Sequence, residues 1–415
     1  MANIILPKIV TYEDQLRMMA EDAQFDVSDS KESEHMCVPD LSVFSDIKAK
    51  PNAPKVPKMF VASKCIFNCA YCGCRASKDR DGYCNDPKRL AEMCVAEAVK
   101  NGHGVFLSSA IYKNADYTEE LIIQTIKHMR QDFGYRGYIH AKIMPGADPL
   151  LIREAGLYAD RLSVNIEVAK KEGYDRIAHQ KNKVNILGPM QTISDLILEA
   201  KETKGPYLKG KFAHSQTTQM MAGAVSEDDR TIMNLSSALY RKYHLSRVYY
   251  TGFHYTYTSK GYDDIGTFRT PAWRVRRLYQ ADRLMQLYGF SHDEITPDSE
   301  PNLAAEIDPK ISWALRNISI YPVEVNTADY DTLLRIPGIG IVFAKKIIRA
   351  RKYCTVTHEV LRKIGVSLKR SIYFIKCNGK YVGTTTFLDS PEMIRETFSD
   401  GTGQNGEQLM FDIGF

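Results

Sequence analysis

Short apolar runs alternate with longer amphipathic segments over residues 59–250 of the chain. The apolar runs predict buried strands, and the segments between them repeat apolar residues with helical spacing. Strands separated by helices indicate βαβ units and a parallel sheet. The predicted strands are Met59–Ala62, Gly104–Ser108, Tyr138–Ile143, Arg161–Ile166, Phe212–His214 and Arg247–Tyr250. The predicted helices are Leu90–Asn101, Thr118–Phe133, Asp148–Ala155, Leu187–Lys204 and Glu227–Tyr243.

The composition describes an ordinary globular protein. Of the 415 residues, 44% are hydrophobic and 25% are charged, and no apolar run approaches the length of a membrane span. The first residues lack the pattern of a signal peptide. Nine cysteines, an odd number, favour a reducing compartment over a disulfide framework. We therefore expect a cytoplasmic protein with no membrane partner.

Three cysteines carry the strongest chemical signal in the chain. Cys65, Cys69 and Cys72 are spaced as C-x3-C-x2-C, and Tyr71 precedes the last of them. Three thiolates on one loop suit three irons of a 4Fe–4S cluster and leave the fourth iron without a protein ligand. The alternatives are a zinc site and three unrelated buried thiols. Zinc sites usually pair two C-x2-C units or use histidine partners, whereas this region has a single such unit.

This spacing resembles that of the radical S-adenosylmethionine (SAM) superfamily. The resemblance implies that Cys65, Cys69 and Cys72 hold the cluster, that SAM chelates the open iron, and that Tyr71 packs near the adenine. In that family, one electron from the cluster cleaves SAM and releases a 5′-deoxyadenosyl radical that abstracts a hydrogen atom. The implied fold is a partial (β/α)6 TIM-like barrel with the cysteine loop after its first strand. The implied partner is an electron donor such as flavodoxin or ferredoxin.

The resemblance also implies SAM contacts where the strands end. The second strand lacks the Gly-Gly-Glu-like motif of many family members, which weakens its serines as candidates. The alternation of the fourth strand places its three candidates on one face, and the glycine after the fifth strand would permit close approach of the adenine. Ordinary capping and strand-end hydrogen bonds are the alternative for each. The candidates are Ser108, Ser109, Ser163, Asn165, Glu167, Gln219 and Gly223.

Three further cysteines follow the triad at ten-residue spacings. Cys74, Cys84 and Cys94 would be ligands of a second cluster or buried thiols. The spacing lacks C-x2-C pairs, and Cys94 falls within a helical pattern. Buried thiols are therefore the favoured interpretation.

A basic segment near the C-terminal end predicts a phosphate-binding hairpin. Net charge is +5, yet residues 333–376 hold eleven Lys or Arg and one acid. Within this segment, a helix is predicted to end at Ile336, a tight turn to follow, and a second helix to begin. The turn glycines permit close approach of a phosphate, and the second helix offers free N–H groups and its positive dipole end. The predicted DNA-binding residues are Pro337, Gly338, Ile339, Gly340, Lys345 and Lys346.

This segment closely resembles the helix-hairpin-helix motif, which binds the DNA backbone without reading sequence. A weaker copy follows around Gly365, with Ser367 in place of the second glycine, so that copy has either a binding or a structural role. We expect the two hairpins to form one compact domain. The alternative is a hairpin used for protein interaction or packing, which the local positive charge disfavours.

Together these features resemble a bacterial family of DNA modification or repair radical SAM proteins. The expected function is an enzyme that modifies or repairs a nucleotide of DNA, with the reaction class (lyase, transferase or oxidoreductase) left open. The alternatives are an RNA- or tRNA-modifying radical SAM enzyme and a non-catalytic, redox-sensing DNA-binding protein. The expected domains are an N-terminal extension and linker (1–56), the partial barrel (57–300), the hairpin domain (301–380) and a C-terminal tail (381–415).

Overall fold

A computed structural model describes residues 16, 18–19, 56–77, 82–101, 104–202, 212–253, 270–383 and 390–399. Nearly all of the expected N-terminal extension and most of the expected tail lie outside these residues. The chain forms two compact units, one of residues 1–227 and 238–271, the other of residues 228–237 and 272–415. The domain boundaries expected at 57, 301 and 381 remain predictions.

The first unit is built on a six-stranded sheet in which every neighbouring pair is parallel. The strands follow one another across the sheet in the order of the chain, so each crossover leads to the neighbouring strand on the same side. A sheet that never reverses its order is that of a βα barrel and not of a doubly wound sheet. The expected partial (β/α)6 fold is thereby confirmed. The strands are β1 Lys58–Phe60, β2 Val105–Ser108, β3 Ile139–Lys142, β4 Arg161–Ser163, β5 Ser215–Ala222 and β6 Arg247–Gly252.

Helices connect these strands, and polar residues begin several of them. The Asn114 side chain accepts the N–H of Tyr117 at the start of α2, and Asp148 accepts that of Leu150 at the start of α3. These caps satisfy amides that have no partner within the helix. The helices are α1 Pro87–Asn101, α2 Ala115–Gln131, α3 Pro149–Tyr158, α4 Lys171–Ile177, α5 Lys183–Glu202 and α6 Asp229–Tyr243.

The fifth strand differs from its prediction. The sequence places it at Phe212–His214, but β5 begins at Ser215 and runs to Ala222. Several of its polar side chains are buried, and two of them are hydrogen-bonded: the Gln216 amide donates to the Tyr243 carbonyl at 2.6 Å, and the Thr218 hydroxyl donates to Val164 O at 2.7 Å. Burial of satisfied polar groups gives a strand that hydrophobic periodicity does not reveal.

The second unit is mainly helical. Its helices are α7 Ala272–Tyr288, α8 His292–Ile295, α9 Pro309–Arg316, α10 Tyr330–Arg335, α11 Ile341–Ala350, α12 His358–Lys363, α13 Leu368–Ser371 and α14 Pro391–Thr397. A small sheet pairs β7 (Val323–Glu324) in parallel with β8 (Ile375–Cys377), which pairs antiparallel with β9 (Lys380–Tyr381). Leu333, Ile339, Ala344, Ile347 and Leu361 are fully buried and form part of its core. Among the described residues, no helix is long and apolar enough to cross a membrane.

Candidate cofactor site and nucleic-acid interface

The loop after β1, residues 61–77, carries the three cysteines and is held by backbone hydrogen bonds. Cys65 N–H donates to Cys74 O at 3.2 Å, and Ile66 N–H donates to Ile111 O at 2.9 Å. Ala70 N–H donates to Ile177 O, at the end of α4, at 2.8 Å. The loop therefore lies at the carboxyl edge of the sheet, where barrels of this type place their reactive groups.

Two of the cysteine sulfurs accept backbone N–H groups. Phe67 N–H lies 3.3 Å from Cys65 Sγ, and Cys74 N–H lies 3.4 Å from Cys72 Sγ. The pKa of Cys69 is raised to about 12, mainly by burial; the Lys181 ammonium opposes the rise, and the charges of Cys72, Glu167 and Cys65 add to it. The three thiols are thus close enough to affect one another's ionisation.

The loop fits an iron–sulfur cluster in its donor chemistry. Thiolate sulfur suits iron, and N–H groups directed at sulfur are a means by which proteins tune such clusters. Within the described part of the chain, no three His, Cys, Asp or Glu side chains are gathered around a point that a single metal ion would occupy. A cluster differs from an ion in this respect, because each thiolate meets a different iron.

A buried ion pair lies beside the cysteine loop. Lys181 Nζ is 2.6 Å from Glu167 Oε1 and 3.1 Å from the Tyr71 hydroxyl. Burial lowers the pKa of Lys181, but the Glu167 carboxylate together with the charges of Cys69 and Cys72 outweighs it, and the net shift is upward. The structure therefore joins two predicted residues, Tyr71 and Glu167, through a lysine that was not predicted. Lys181 lies 14 residues beyond Glu167 in no recognisable motif, so no local signal identifies it.

Glu167 adopts an unusual backbone conformation beyond the end of β4. Its φ is +63°, a region that residues other than glycine seldom occupy. Its N–H donates to Gln219 O at 3.0 Å, and its carbonyl accepts Met221 N–H at 2.7 Å. Ser163 and Asn165, the other predicted residues of this face, are also buried. The pairing of Glu167 with β5 extends the sheet edge and fixes the carboxylate on it.

The two serines at the end of β2 differ in their surroundings. Ser108 is fully buried, and its carbonyl accepts Val61 N–H at 2.9 Å. The Ser109 hydroxyl accepts Ala62 N–H at 3.2 Å and donates to Ala110 O at 2.7 Å. Both serines tie the end of β2 to the segment that leads into the cysteine loop. Their contact with SAM remains a prediction.

The loop after β5 is organised by a carboxylate that no sequence pattern singled out. Gly223 has a φ of +83°, which favours glycine. Its N–H donates to Glu227 Oε1, and Val225 N–H donates to Glu227 Oε2 at 3.0 Å. Gln219 lies in β5 and is 8% exposed. The Gly223 amide is thus already used within the loop.

The three additional cysteines do not share one environment. Cys74 and Cys94 are buried, as predicted, and burial raises the pKa of Cys94. Cys84 is exposed, so its prediction as a buried thiol is wrong. Cys84 lies in the chain segment before α1, where its backbone pairs with that of Ala62 through an isolated antiparallel bridge.

In the second unit, α10, a tight turn and α11 form the predicted hairpin. Gly338 has a φ of +83°, and Ile339 N–H donates to Ile336 O at 3.1 Å within the turn. Gly340 caps α11 without a side-chain hydrogen bond. The first helical bond joins Ala344 N–H to Gly340 O at 2.8 Å, which leaves the preceding amides of the helix outside the helical hydrogen-bond pattern.

Most of the cations of α11 and the turn that follows it face solvent. Lys345, Lys346, Arg349 and Lys352 are exposed. Lys346 Nζ also donates to Ile364 O, in the second hairpin, at 3.1 Å. Lys345 is therefore a purely solvent-facing cation of this set, whereas Lys346 also links the two hairpins. We call these four residues the basic face of α11.

The second hairpin, α12–α13, packs on the first. Gly365 has a φ of +94° and lies against the Phe343 ring. A methyl group added at Gly338 would lie 3.0 Å from Arg370 Cβ and 3.1 Å from Ser371 N, at α13. Gly338 of the first hairpin thus lies against the second hairpin, and Gly365 of the second lies against the first, as expected for one compact tandem module.

Comparison with known families agrees with this geometry. A model of the helix-hairpin-helix motif family matches residues 319–357, which include α10, the turn and α11. Residues 319–357 form a helix-hairpin-helix motif. The match begins before β7 and ends before the second hairpin, so it covers the hairpin with both glycines.

Three solved structures show partial similarity to the chain. The FeFe-hydrogenase maturase HydG from Carboxydothermus hydrogenoformans has 13% identity and a TM-score of 0.41, over 55% of this chain and 50% of that one. A second structure of HydG, a maturase of the FeFe-hydrogenase, has 14% identity and a TM-score of 0.40, over 55% and 49%. Methylornithine synthase (PylB) has 13% identity and a TM-score of 0.43, over 66% and 73%.

The chain spans about half the length of the two HydG structures. At these TM-scores the similarity adds nothing to what the strand order already establishes. The chain matches no curated protein sequence.

Proposed function

We propose that this protein is a radical SAM enzyme that acts on a nucleotide of DNA held by its helix-hairpin-helix motif. One observation carries the proposal: a C-x3-C-x2-C loop follows the first strand of a six-stranded parallel sheet, in a chain that also contains this motif. The cysteine spacing supports the cofactor class, and the motif supports the substrate class.

The residues of the first unit would hold and orient the cofactors. Cys65, Cys69 and Cys72 would ligate the cluster. The bound cluster and SAM would supply the hydrogen-abstracting radical. The Lys181–Glu167 pair, with Tyr71, fixes the cysteine loop against the carboxyl edge of the sheet. Such positioning matters because a reactive intermediate must meet one particular C–H bond.

The residues of the second unit would hold the DNA backbone. A phosphate at the start of α11 would accept hydrogen bonds from the free backbone amides and lie at the positive end of the helix dipole. The basic face of α11 would neutralise neighbouring phosphates. These contacts carry no base information, so the unit would bind many sequences and raise the local concentration of nucleotides near the radical site.

The first experiment tests the cofactor. Protein reconstituted without oxygen should give the absorption and EPR spectra of a 4Fe–4S cluster and release 5′-deoxyadenosine when reduced with SAM. Cys69→Ala should lose both, because Cys69 would be a ligand. Cys354→Ala, which changes an exposed cysteine of the second unit, should retain both. Zinc in place of iron in the wild-type protein would overturn the proposal.

A second experiment tests the substrate. DNA and RNA of the same sequence should differ in affinity and in the deoxyadenosine release that they stimulate, and nucleoside mass spectrometry should detect a product in DNA. Stronger stimulation by RNA would favour an RNA-modifying enzyme. Binding to DNA with a cluster present, but without release of deoxyadenosine on any nucleic acid, would favour a redox-sensing DNA-binding protein.

A further inference from the structure

A lysine outside the basic face of α11 contacts the hairpin turn itself. Lys310, near the start of α9, directs its ammonium group at the turn, and Nζ lies 2.6 Å from Ile339 O. Ile339 is the middle residue of Gly338-Ile339-Gly340 and is fully buried. The ammonium group therefore supports the turn from its protein side, not from the side where a phosphate would approach.

The surroundings of Lys310 do not provide a simple ion pair. Nζ lies 4.8 Å from the centre of the Tyr288 ring. The charged groups that face it are Asp308, Arg370 and Arg335, and Asp308 is already paired with Arg370. Asp308 also caps α9 by accepting Lys310 N–H at 2.9 Å. Burial lowers the pKa of Lys310 to about 7, and the two arginines contribute to the shift.

The contact with Ile339 O bears on the direction of the next amide. The carbonyl of Ile339 and the N–H of Gly340 belong to one planar trans peptide, in which the two groups point in opposite directions. A donor that holds the carbonyl inward therefore turns the Gly340 N–H outward. Gly340 caps α11, so the same peptide sets where the free amides of the first turn are presented.

We propose that Lys310 is a positioning residue for phosphate binding: by holding the Ile339 carbonyl, it orients the Gly340 amide and the start of α11 toward the DNA backbone. This inference rests on the proposed function for its ligand, a nucleic-acid phosphate. Lys310 itself does not touch the phosphate.

Phosphate binding is then coupled to protonation of Lys310. A phosphate near the turn favours the charged ammonium group, so affinity falls as pH rises through the pKa of about 7 and Lys310 loses its proton. Among the described hairpin residues, His358 also titrates near this range, and burial lowers its pKa below the ordinary 6.5. Measurements from pH 6.5 to about 8.5 therefore isolate Lys310.

The test compares the full-length wild-type protein with Lys310→Met and Lys310→Gln. Methionine fills a similar volume and leaves the Asp308–Arg370 pair intact, so the variant should fold. We expect Lys310→Met to bind a DNA duplex about tenfold more weakly at pH 6.5, the loss expected for a charged hydrogen bond. Its salt dependence should equal that of the wild type, because every phosphate-contacting cation is still present. Its affinity should no longer change with pH.

Hydrogen exchange gives a readout that needs no DNA. In Lys310→Met, the amides of Ile339 and Ala344, which are bonded within the turn and first helical turn, should exchange faster. The amides of Gly365 and Val366 in the second hairpin should be unchanged. Lys310→Gln keeps a donor without a charge, so it should restore slow exchange but not the pH dependence.

Unchanged exchange and unchanged affinity in Lys310→Met would overturn the inference. A steep fall in the salt slope would also overturn it, because Lys310 would then contact phosphate directly. If the wild-type protein bound no nucleic acid, the proposed function would fail, and the exchange measurements alone would still decide whether Lys310 positions the turn.

Discussion

At the scale of single residues, Glu167 and Lys181 show how the candidate site is fixed. Glu167 combines a φ of +63° with a buried carboxylate, and its side chain is only 4% exposed. Both features cost free energy unless the surroundings compensate. Two backbone bonds to β5 compensate the first, and Lys181 compensates the second. Lys181 also donates a hydrogen bond to the Tyr71 hydroxyl, so the ion pair also helps to hold the cysteine loop in place.

Removing one partner of this pair should destabilise the protein more than removing both. Lys181→Met leaves a buried, unpaired carboxylate, and we expect a loss of about 3–5 kcal/mol in the free energy of unfolding. The double variant Glu167→Gln/Lys181→Met should lose much less, because no charge remains buried. Urea unfolding of the two single variants and the double variant measures the coupling. Additive losses would mean that the two side chains do not interact.

At the scale of elements, the hairpin module depends on glycines where its halves meet. Gly338 adopts a conformation that favours glycine and also lies against α13, so it meets two separate requirements. The Pro-Gly-Ile-Gly turn predicts the first requirement from sequence. No sequence pattern predicts the second, because contact with Arg370 and Ser371 depends on how two hairpins 27 residues apart pack together.

A comparison of two glycines separates these requirements. Gly338→Ala should lose roughly 2–3 kcal/mol of stability, from backbone strain and from overpacking against α13. Gly289 has a φ of +69°, yet a methyl group there would meet no atom of the described residues within 4 Å. Gly289→Ala should therefore lose only about 1 kcal/mol, the strain alone. Equal losses in denaturant unfolding would exclude the contribution of hairpin packing.

At the scale of the whole molecule, the residues proposed for cofactor binding and those proposed for nucleic-acid binding lie in different parts of the chain. Cys65, Cys69 and Cys72 lie in the first compact unit, and the helix-hairpin-helix motif lies in the second. The charge is divided accordingly, since residues 333–376 carry a net charge of +10 and the rest of the chain a net charge of −5. Each activity should therefore be removable without the other.

The double variant Lys345→Ala/Lys346→Ala tests this division. DNA affinity should fall for all sequences alike, and the salt slope should decrease by about one for each phosphate that is no longer neutralised. DNA-independent release of 5′-deoxyadenosine should be unchanged.

Lys345→Ala alone should reduce the salt slope of DNA binding without disturbing the hydrogen bond from Lys346 to Ile364. Lys100→Ala, which changes an exposed cation of α1, is the control; loss of cofactor cleavage in the double variant would refute the division.

Sequence patterns predicted most of the architecture but few of the supporting contacts. Every strand of the large sheet except β5 was located within three residues at each end, because burial in a parallel sheet requires apolar runs. β5 was misplaced because its buried residues include Gln and Thr. α4 was missed, and with it the segment that leads to Lys181. Lys181 acts through a contact with Tyr71, 110 residues away, and Lys310 through one with Ile339, 29 residues away, and no recognised spacing encodes either contact.

The cysteine loop is held in place by hydrogen bonds between backbone groups. Cys65 donates to the Cys74 carbonyl within the loop, Ile66 and Ala70 donate to carbonyls of neighbouring segments, and none of these bonds involves a sulfur. The backbone hydrogen bonds that hold the loop therefore leave the thiols of the proposed ligands unused, whereas the fold of a zinc finger depends on its metal ligands. If the protein binds the proposed cluster, these bonds would still hold the loop after the iron was lost, and the three thiols could be reloaded without unfolding of the chain.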